Sequence, residues 1–405
     1  MKTGYKLFSL VLFACTIAQG QATAQDSFVF LGTAFDDQWS PRSIKVESEA
    51  TAGSNSINTQ MFSDVLFGTS FTESAKVKYL EGNQLKTNFY GHSINRVEYK
   101  IDSSHAVFVK YKSQIGFKAN KDMAELMFWG NAPFEGENVV TENLKFTQAN
   151  SISAGVSFKH ASGEKWKIKG SYGINFITSL REVSANKAEL YTAQRGSYAN
   201  VNVESLSISE RKDGIKGVGV DIDFEFDYSI DSVNSISMKA LDFNFNFLLN
   251  QPYLYLDTSF RFNGISYDFV NDSLSITEKI DSSYNDVLNR GRANKKLNSL
   301  PTRLSLSWKR KLNPKNDLTL SVHTIDLGVY GVSGRIGLGH KFSNRFKVLS
   351  SLGYGNFYGL SWTESLEYQT QKRLSIYLCL QNINAFVAPK SSKSYGLGLG
   401  LTKQF

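Results

Sequence analysis

The sequence predicts an all-β protein, an antiparallel up-and-down transmembrane β-barrel of about 14 strands (12–16) with a short helix near 121–129. Three observations predict it: an apolar leader, repeated segments with apolar residues at every second position, and connections that alternate short with long.

The leader comes first in the chain. Lys2 and Lys6 precede an apolar run from Leu7 to Ile17, and Ala22-Thr23-Ala24 supplies a small-x-small cleavage site. Residues 1–24 therefore read as a signal peptide and 25–405 as the barrel. An alternative reading takes Leu12-Phe13-Ala14-Cys15 as a lipoprotein site. Bulky Phe13, and a cysteine inside the apolar run rather than after it, argue against that. Beyond the leader only Cys379 remains, so no disulfide framework holds the exported chain. The formal net charge of +8 is mild over 405 residues and comes without long basic runs, which excludes a nucleic-acid partner. The densest basic stretch, Arg290 to Lys296, reads as a solvated loop. No other segment reaches the roughly 20 apolar residues that a membrane helix needs. A slightly polar mean hydropathy suits a barrel, where lipid-facing and lumen-facing residues cancel in the average.

The strands follow from period-two alternation. Tyr395, Leu397, Leu399, Leu401 and Phe405 share one face of the last segment, and Gly396, Gly398 and Gly400 share the other. Segment 395–405, with its terminal aromatic, is the kind of ending that barrel-assembly machinery reads, and outer-membrane lipid is the expected surrounding. Similar alternation runs through Leu374–Leu380, Leu304–Trp308, Leu318–Val322, Ile336–Phe342, Ile152–Phe158, Trp166–Phe176 and Val218–Ile230.

Counting back from Phe405, short connections fall near Gln369–Lys372, Ser343–Arg345, Asn313–Asp317, Asn250–Pro252 and Ala161–Glu164. Taken as periplasmic, they leave the long segments 382–394, 266–301, 179–197 and 120–143 outside, which is the outer-membrane pattern. The connections near 328–331 and 355–358 are short exceptions.

The lumen is legible where charge alternates with apolar residues. Asp221, Asp223, Glu225 and Asp227 share the face opposite Val218–Ile230, and a row of carboxylates can face neither lipid nor an apolar core. Lys165, Lys167 and Lys169, followed by Asn175, form a basic stripe on another strand. Two readings compete: a charged constriction that selects solutes, or an ion-pair network across the lumen that steadies the wall. The acidic stripe lacks the loop spacing of a calcium site, so no metal or cofactor is expected.

At Asp122-Met-Ala-Glu-Leu-Met-Phe-Trp-Gly-Asn-Ala-Pro-Phe-Glu-Gly136, at Gly217-Val-Gly-Val-Asp221 and at Leu300-Pro301-Thr302, the chain resembles a Bacteroidota family of outer-membrane proteins related in architecture to FadL-type long-chain fatty-acid transporters. The resemblance implies a FadL-like barrel and brings no catalytic residues with it. The chain departs from the family pattern at Phe176-Ile-Thr-Ser-Leu180, where a basic, glycine-containing stretch is usual. Read from its own residues, Asp122–Trp129 is a short helix that Asn120 or Asp122 can cap. Met123, Leu126, Met127 and Trp129, with Phe134 beyond, are candidates for a plug or a greasy docking face. Simple packing on the inner wall is the competing account.

No catalytic constellation emerges. His92, His105, His160, His323 and His340 are scattered without metal-ligand spacing, and no nucleophile elbow or phosphate loop is present. The expected function is not enzymatic: a FadL-like channel for a small or apolar solute. The alternative is a non-transporting scaffold barrel that docks a periplasmic or secreted partner, as in type IX secretion.

Overall fold

A computed structural model describes residues 42–55, 86–129, 132–162, 165–194, 198–209, 214–249, 252–262, 292–294, 297–326, 331–355, 359–371, 373–388 and 392–405. The leader 1–24 lies outside the described residues.

Fourteen strands close a barrel in which every neighbouring pair is antiparallel. In order round the wall these are β1 (Ser43–Ser54), β2 (Lys86–Lys100), β3 (His105–Asn120), β4 (Asn138–Ser162), β5 (Trp166–Thr192), β7 (Gly217–Ser229), β8 (Asn234–Leu248), β12 (Arg303–Lys311), β13 (Asn316–Ile325), β14 (Gly331–Ser343), β15 (Phe346–Gly355), β16 (Gly359–Gln369), β17 (Leu374–Gln381) and β18 (Ser394–Gln404). β18 closes the ring by pairing with both β17 and β1. Closure leaves no edge of unpaired backbone groups within the wall, which is what lipid demands.

The short turns are built by side chains that hold their own backbone. Asp102 Oδ1 accepts from the amides of Ser104 (2.6 Å) and His105 (2.8 Å), and Asp231 Oδ1 accepts from Val233 (2.8 Å) and Asn234 (2.7 Å). Asn313 and Ser343 do the same for the β12–β13 and β14–β15 turns. Backbone donation holds the Asp102 carboxyl below its usual range, and the Asn234 side chain with neighbouring amides does so for Asp231. One expected short turn is misplaced. β8 rises from the Asp231 turn, so 250–252 falls at the opposite, long-connection end. The phase slip within β8, described below, hides the strand from a periodicity count.

The segment 179–197 is also no loop. β4 and β5 run 25 and 27 residues, far beyond the roughly 9–11 a bilayer needs. The first half of β5 pairs with β7 through Trp166–Ile177. Its far end, Val183–Thr192, pairs instead with β6 (Ala199–Ser209). β6 pairs with β9 (Pro252–Phe262), which pairs with β10 (Arg292–Asn294), and β11 (Leu297–Asn298) pairs with β8. A side sheet thus extends the wall at its long-connection end.

Helix α1 spans Lys121–Trp129 in the β3–β4 connection, and Asn120 Oδ1 accepts from the Met123 amide at 3.1 Å, capping it. Met123 and Leu126 are half-buried, and Phe134 is half-buried in the following 3₁₀ turn; the side chains of Met127 and Trp129 lie outside the described residues.

The outward face is an apolar belt. Val109 (54% exposed), Ile174 (54%), Leu306 (56%) and Phe247 (64%) stand on it, as the alternation predicts for the outer face of a membrane barrel. Trp166 packs its ring 4.5 Å from Tyr228 near the short-turn end, where an interfacial aromatic girdle belongs.

Candidate functional site

The register assigns one face of every strand to the lumen: odd positions on β1 and β7, even positions on β2, β3 and β18. Charges that the sequence scatters along six strands therefore converge. An eight-stranded barrel can be filled by side chains, whereas a much larger ring leaves a channel unless something crosses it. Here charged side chains cross it.

Asp242 is the hub. On β8, Ala240 pairs with Phe224 and Phe243 with Ile222, so Leu241 and Asp242 together face the single residue Asp223. This is a β-bulge, and Asp242 takes the left-handed region at φ 60°. Asp223 Oδ1 accepts the bulged Asp242 amide at 2.8 Å, which satisfies a donor that the ladder has dropped. The bulge turns the Asp242 carboxylate into the lumen, 1% exposed. There it meets Arg303 of β12 at 2.7 Å, Lys110 of β3 at 3.3 Å and Lys112 at 3.4 Å.

Lys110 also reaches Asp221 at 2.6 Å and Asp223 at 3.1 Å. Its ammonium occupies the centre of the three carboxylates of Asp221, Asp223 and Asp242, whose oxygens otherwise lie close enough to share a metal ion. Arg96 of β2 bridges Asp223 (3.0 Å) and Glu98 (2.7 Å). These contacts pass over β4 and β5, whose lumen residues there are small. Ser157 Oγ donates to Glu98 at 2.9 Å and Ser171 Oγ to Asp223 at 3.0 Å.

Arg303 completes the crossing. Its Nη1 lies 3.4 Å from Glu49 on β1, and His92 Nε2 lies 2.9 Å from the same carboxylate. β1 and β12 stand seven strands apart going either way round the ring, so this ion pair spans the barrel's full width. The lumen is partitioned at that height.

The predicted stripes divide across this partition. Asp221 and Asp223 belong to it. Glu225 and Asp227 lie on its short-turn side, where Glu225 pairs with Lys239 at 3.0 Å and Lys169 at 3.8 Å. The basic stripe does not lie opposite the acidic one: Lys167 is directly across from Asp227 and Lys169 from Glu225 on adjacent strands. Lys165 sits exposed in the turn rather than on the lumen face. Lys167, Lys169, Asp227, Lys309, Lys347 and Asp317 help line a polar cavity of about 250 Å³ on that side. A smaller one, about 100 Å³, lies against Arg96, Glu98 and Glu225.

Beyond the partition the lumen changes character. Asn175 donates to Asn246 at 2.7 Å, and Asn246 to Asn244 at 2.7 Å. Asn244 then clamps the backbone of Leu300, accepting from its amide at 2.9 Å and donating to its carbonyl at 3.3 Å. The Leu300 side chain packs into a buried nest of Ala149, Ile177 and Leu180, with Leu248 against it. Asn244 thus holds the segment that precedes β12 at the long-connection end of the barrel.

Sequence reasoning missed Asp242, Arg303, Glu49, His92, Arg96, Lys110 and Lys112. The signal for Asp242 is present: Met238 and Ala240 face outward in one phase and Phe243, Phe245 and Phe247 in the other, a slip of one residue that only a bulge explains. Elsewhere Ser321 and His323 meet at 2.9 Å on β13. A nucleophile and base also need a third group to orient the base, and Asp326, the acid nearest in sequence, pairs with Lys145 at 3.1 Å instead.

Neither the known family models nor the curated proteins give a match to this sequence. Among solved structures the chain is similar to FadL-type barrels. A Pseudomonas aeruginosa FadL homologue shares 10% identity over 90% of both chains at a TM-score of 0.44. The Ralstonia pickettii toluene transporter TbuX shares 8% over 90% of both, at 0.41. The Pseudomonas putida toluene transporter TodX shares 9% over 95% of both, at 0.38.

Proposed function

We propose that this barrel sits in an outer membrane as a gated passage for a small solute, held shut by its ionic partition. The Arg303–Glu49 pair across the full width carries the reading. A wall that needed only stiffening gains nothing from burying charges at its centre, since apolar filling is often as stable. A partition of ion pairs, unlike a packed core, can exchange partners and open, its charges turning toward the polar-lined cavity beneath it.

The long-connection end faces outward in this reading, and the apolar nest around Leu300 lies on that side of the partition. That favours a solute with apolar character. Strand 395–405 is the segment offered to assembly machinery, and the leader 1–24 directs export. Asp227, Lys167 and Lys169 set the field of the inner vestibule, and the Met123–Leu126 face of α1, with Phe134 in the turn beyond it, guards the mouth.

The test is conductance in planar bilayers. The wild-type chain is expected to be nearly silent. Arg303→Ala combined with Asp242→Ala is expected to open steps whose ion selectivity shifts when Glu225 and Asp227 are neutralised. A barrel that stays silent after the partition is removed sinks the passage and leaves the scaffold reading.

A further inference from the structure

One lumen ring lies directly outside the partition, and several of its buried polar atoms have no hydrogen-bond partner within the chain. Register places Thr51 of β1, His92 of β2, Gln114 of β3, Ala149 of β4 and Leu180 of β5 side by side at one height. The first three are between 0% and 2% exposed, and Glu49, one step lower on β1, is 1% exposed. Thr51 Oγ1, His92 Nδ1, Gln114 Nε2 and Glu49 Oε2 are all buried without a hydrogen-bond partner. Leaving a buried donor or acceptor unmet is costly, so four such atoms on three adjacent strands point to a ligand that meets them.

The same ring turns apolar at Gln114. Its neighbour Ala149 belongs to the nest that holds Leu300, with Ile177 and Leu180. Adjacent strands are about 4.8 Å apart, so a molecule of one ring's width touches both halves.

The chemistry of the unfilled atoms narrows the ligand. Glu49 Oε2 takes only a donor, Gln114 Nε2 offers only a donor, and Thr51 serves as either. A hydroxyl group meets both demands with one atom. The charge of Glu49 is already matched, because its other oxygen faces Arg303 and His92, so an added charge on the ligand gains nothing there. We infer that this ring binds a small uncharged molecule with an apolar body and a hydroxyl group, an alcohol or a phenol, whose body takes or shares the place of the Leu300 side chain.

The inference rests on the passage reading for its role, as the solute class, but its test is a binding test. Saturation-transfer NMR on the full chain refolded in lipid nanodiscs uses phenol as the probe, with glycerol and benzoate as comparisons. Phenol is expected to receive saturation, and both comparisons far less. Thr51→Val and Gln114→Leu are each expected to weaken phenol binding about tenfold, the cost of one buried hydrogen bond. Thr51→Val is close to isosteric, so it still reads the site if Gln114→Leu fails to fold by heat-modified migration. Phenol transfer unchanged in Thr51→Val, or glycerol or benzoate binding as well as phenol, overturns the proposal. So does a high-resolution structure in phenol showing the four atoms held by water alone. A chain that conducts after the partition is removed yet ignores phenol defeats this inference alone, whereas one that binds phenol and never conducts defeats only the passage.

Discussion

Asp242 shows how much one residue decides. Its carboxylate pairs with Arg303, Lys110 and Lys112 in a place with almost no access to water. Removing one member of a buried charge cluster leaves the others uncompensated, a loss of about 3–5 kcal/mol. Asp242→Ala is therefore expected to lower the urea midpoint of the refolded barrel by that equivalent, with the slope unchanged. A midpoint within error of wild type would show that the cluster is hydrated and contributes little. The residue was invisible to a search for charge rows, since it stands alone among Leu241, Phe243 and Asn244. By contrast Asp221 and Asp223 were legible as lumen residues because they alternate with apolar neighbours through a whole strand.

Among the elements, β7 and β8 approach each other closely at Gly219. A Cβ at Gly219 would sit 2.0 Å from the Phe245 carbonyl oxygen, so any side chain forces the strands apart. At Gly334 on β14 nothing lies nearer than 4.0 Å. Gly219→Ala is expected to destabilise markedly, whereas Gly334→Ala is expected to be neutral or to stabilise by up to about 1 kcal/mol through lost chain entropy. Unfolding midpoints of the two variants check this, and equal effects would contradict the packing. The strand faces themselves were readable from period two. Their partners were not. The lysines of β5 and the acids of β7 looked like opposing stripes, yet β5 leaves the barrel at its far end for β6, and its near half lies beside β7.

At the scale of the whole molecule, the belt of apolar side chains fixes which medium surrounds the barrel. Leu306 stands on the outward face of β12, between Met238 and Val322. Lysine there is expected to cost about 2–4 kcal/mol in a bilayer, and little if that face met water. Unfolding of Leu306→Lys refolded into liposomes reads the difference, and an unshifted midpoint would place the belt elsewhere.

By itself the sequence determined the class of fold, the alternation of the strand faces and four of the five short turns it named, because each rests on neighbours along the chain: apolar residues at every second position, or a few polar residues between two such runs. What closes the lumen was decided only in three dimensions. Glu49 and Arg303 are 254 positions apart, and nothing local to either says that closing fourteen strands, with a bulge beside Asp242, brings them within reach of each other.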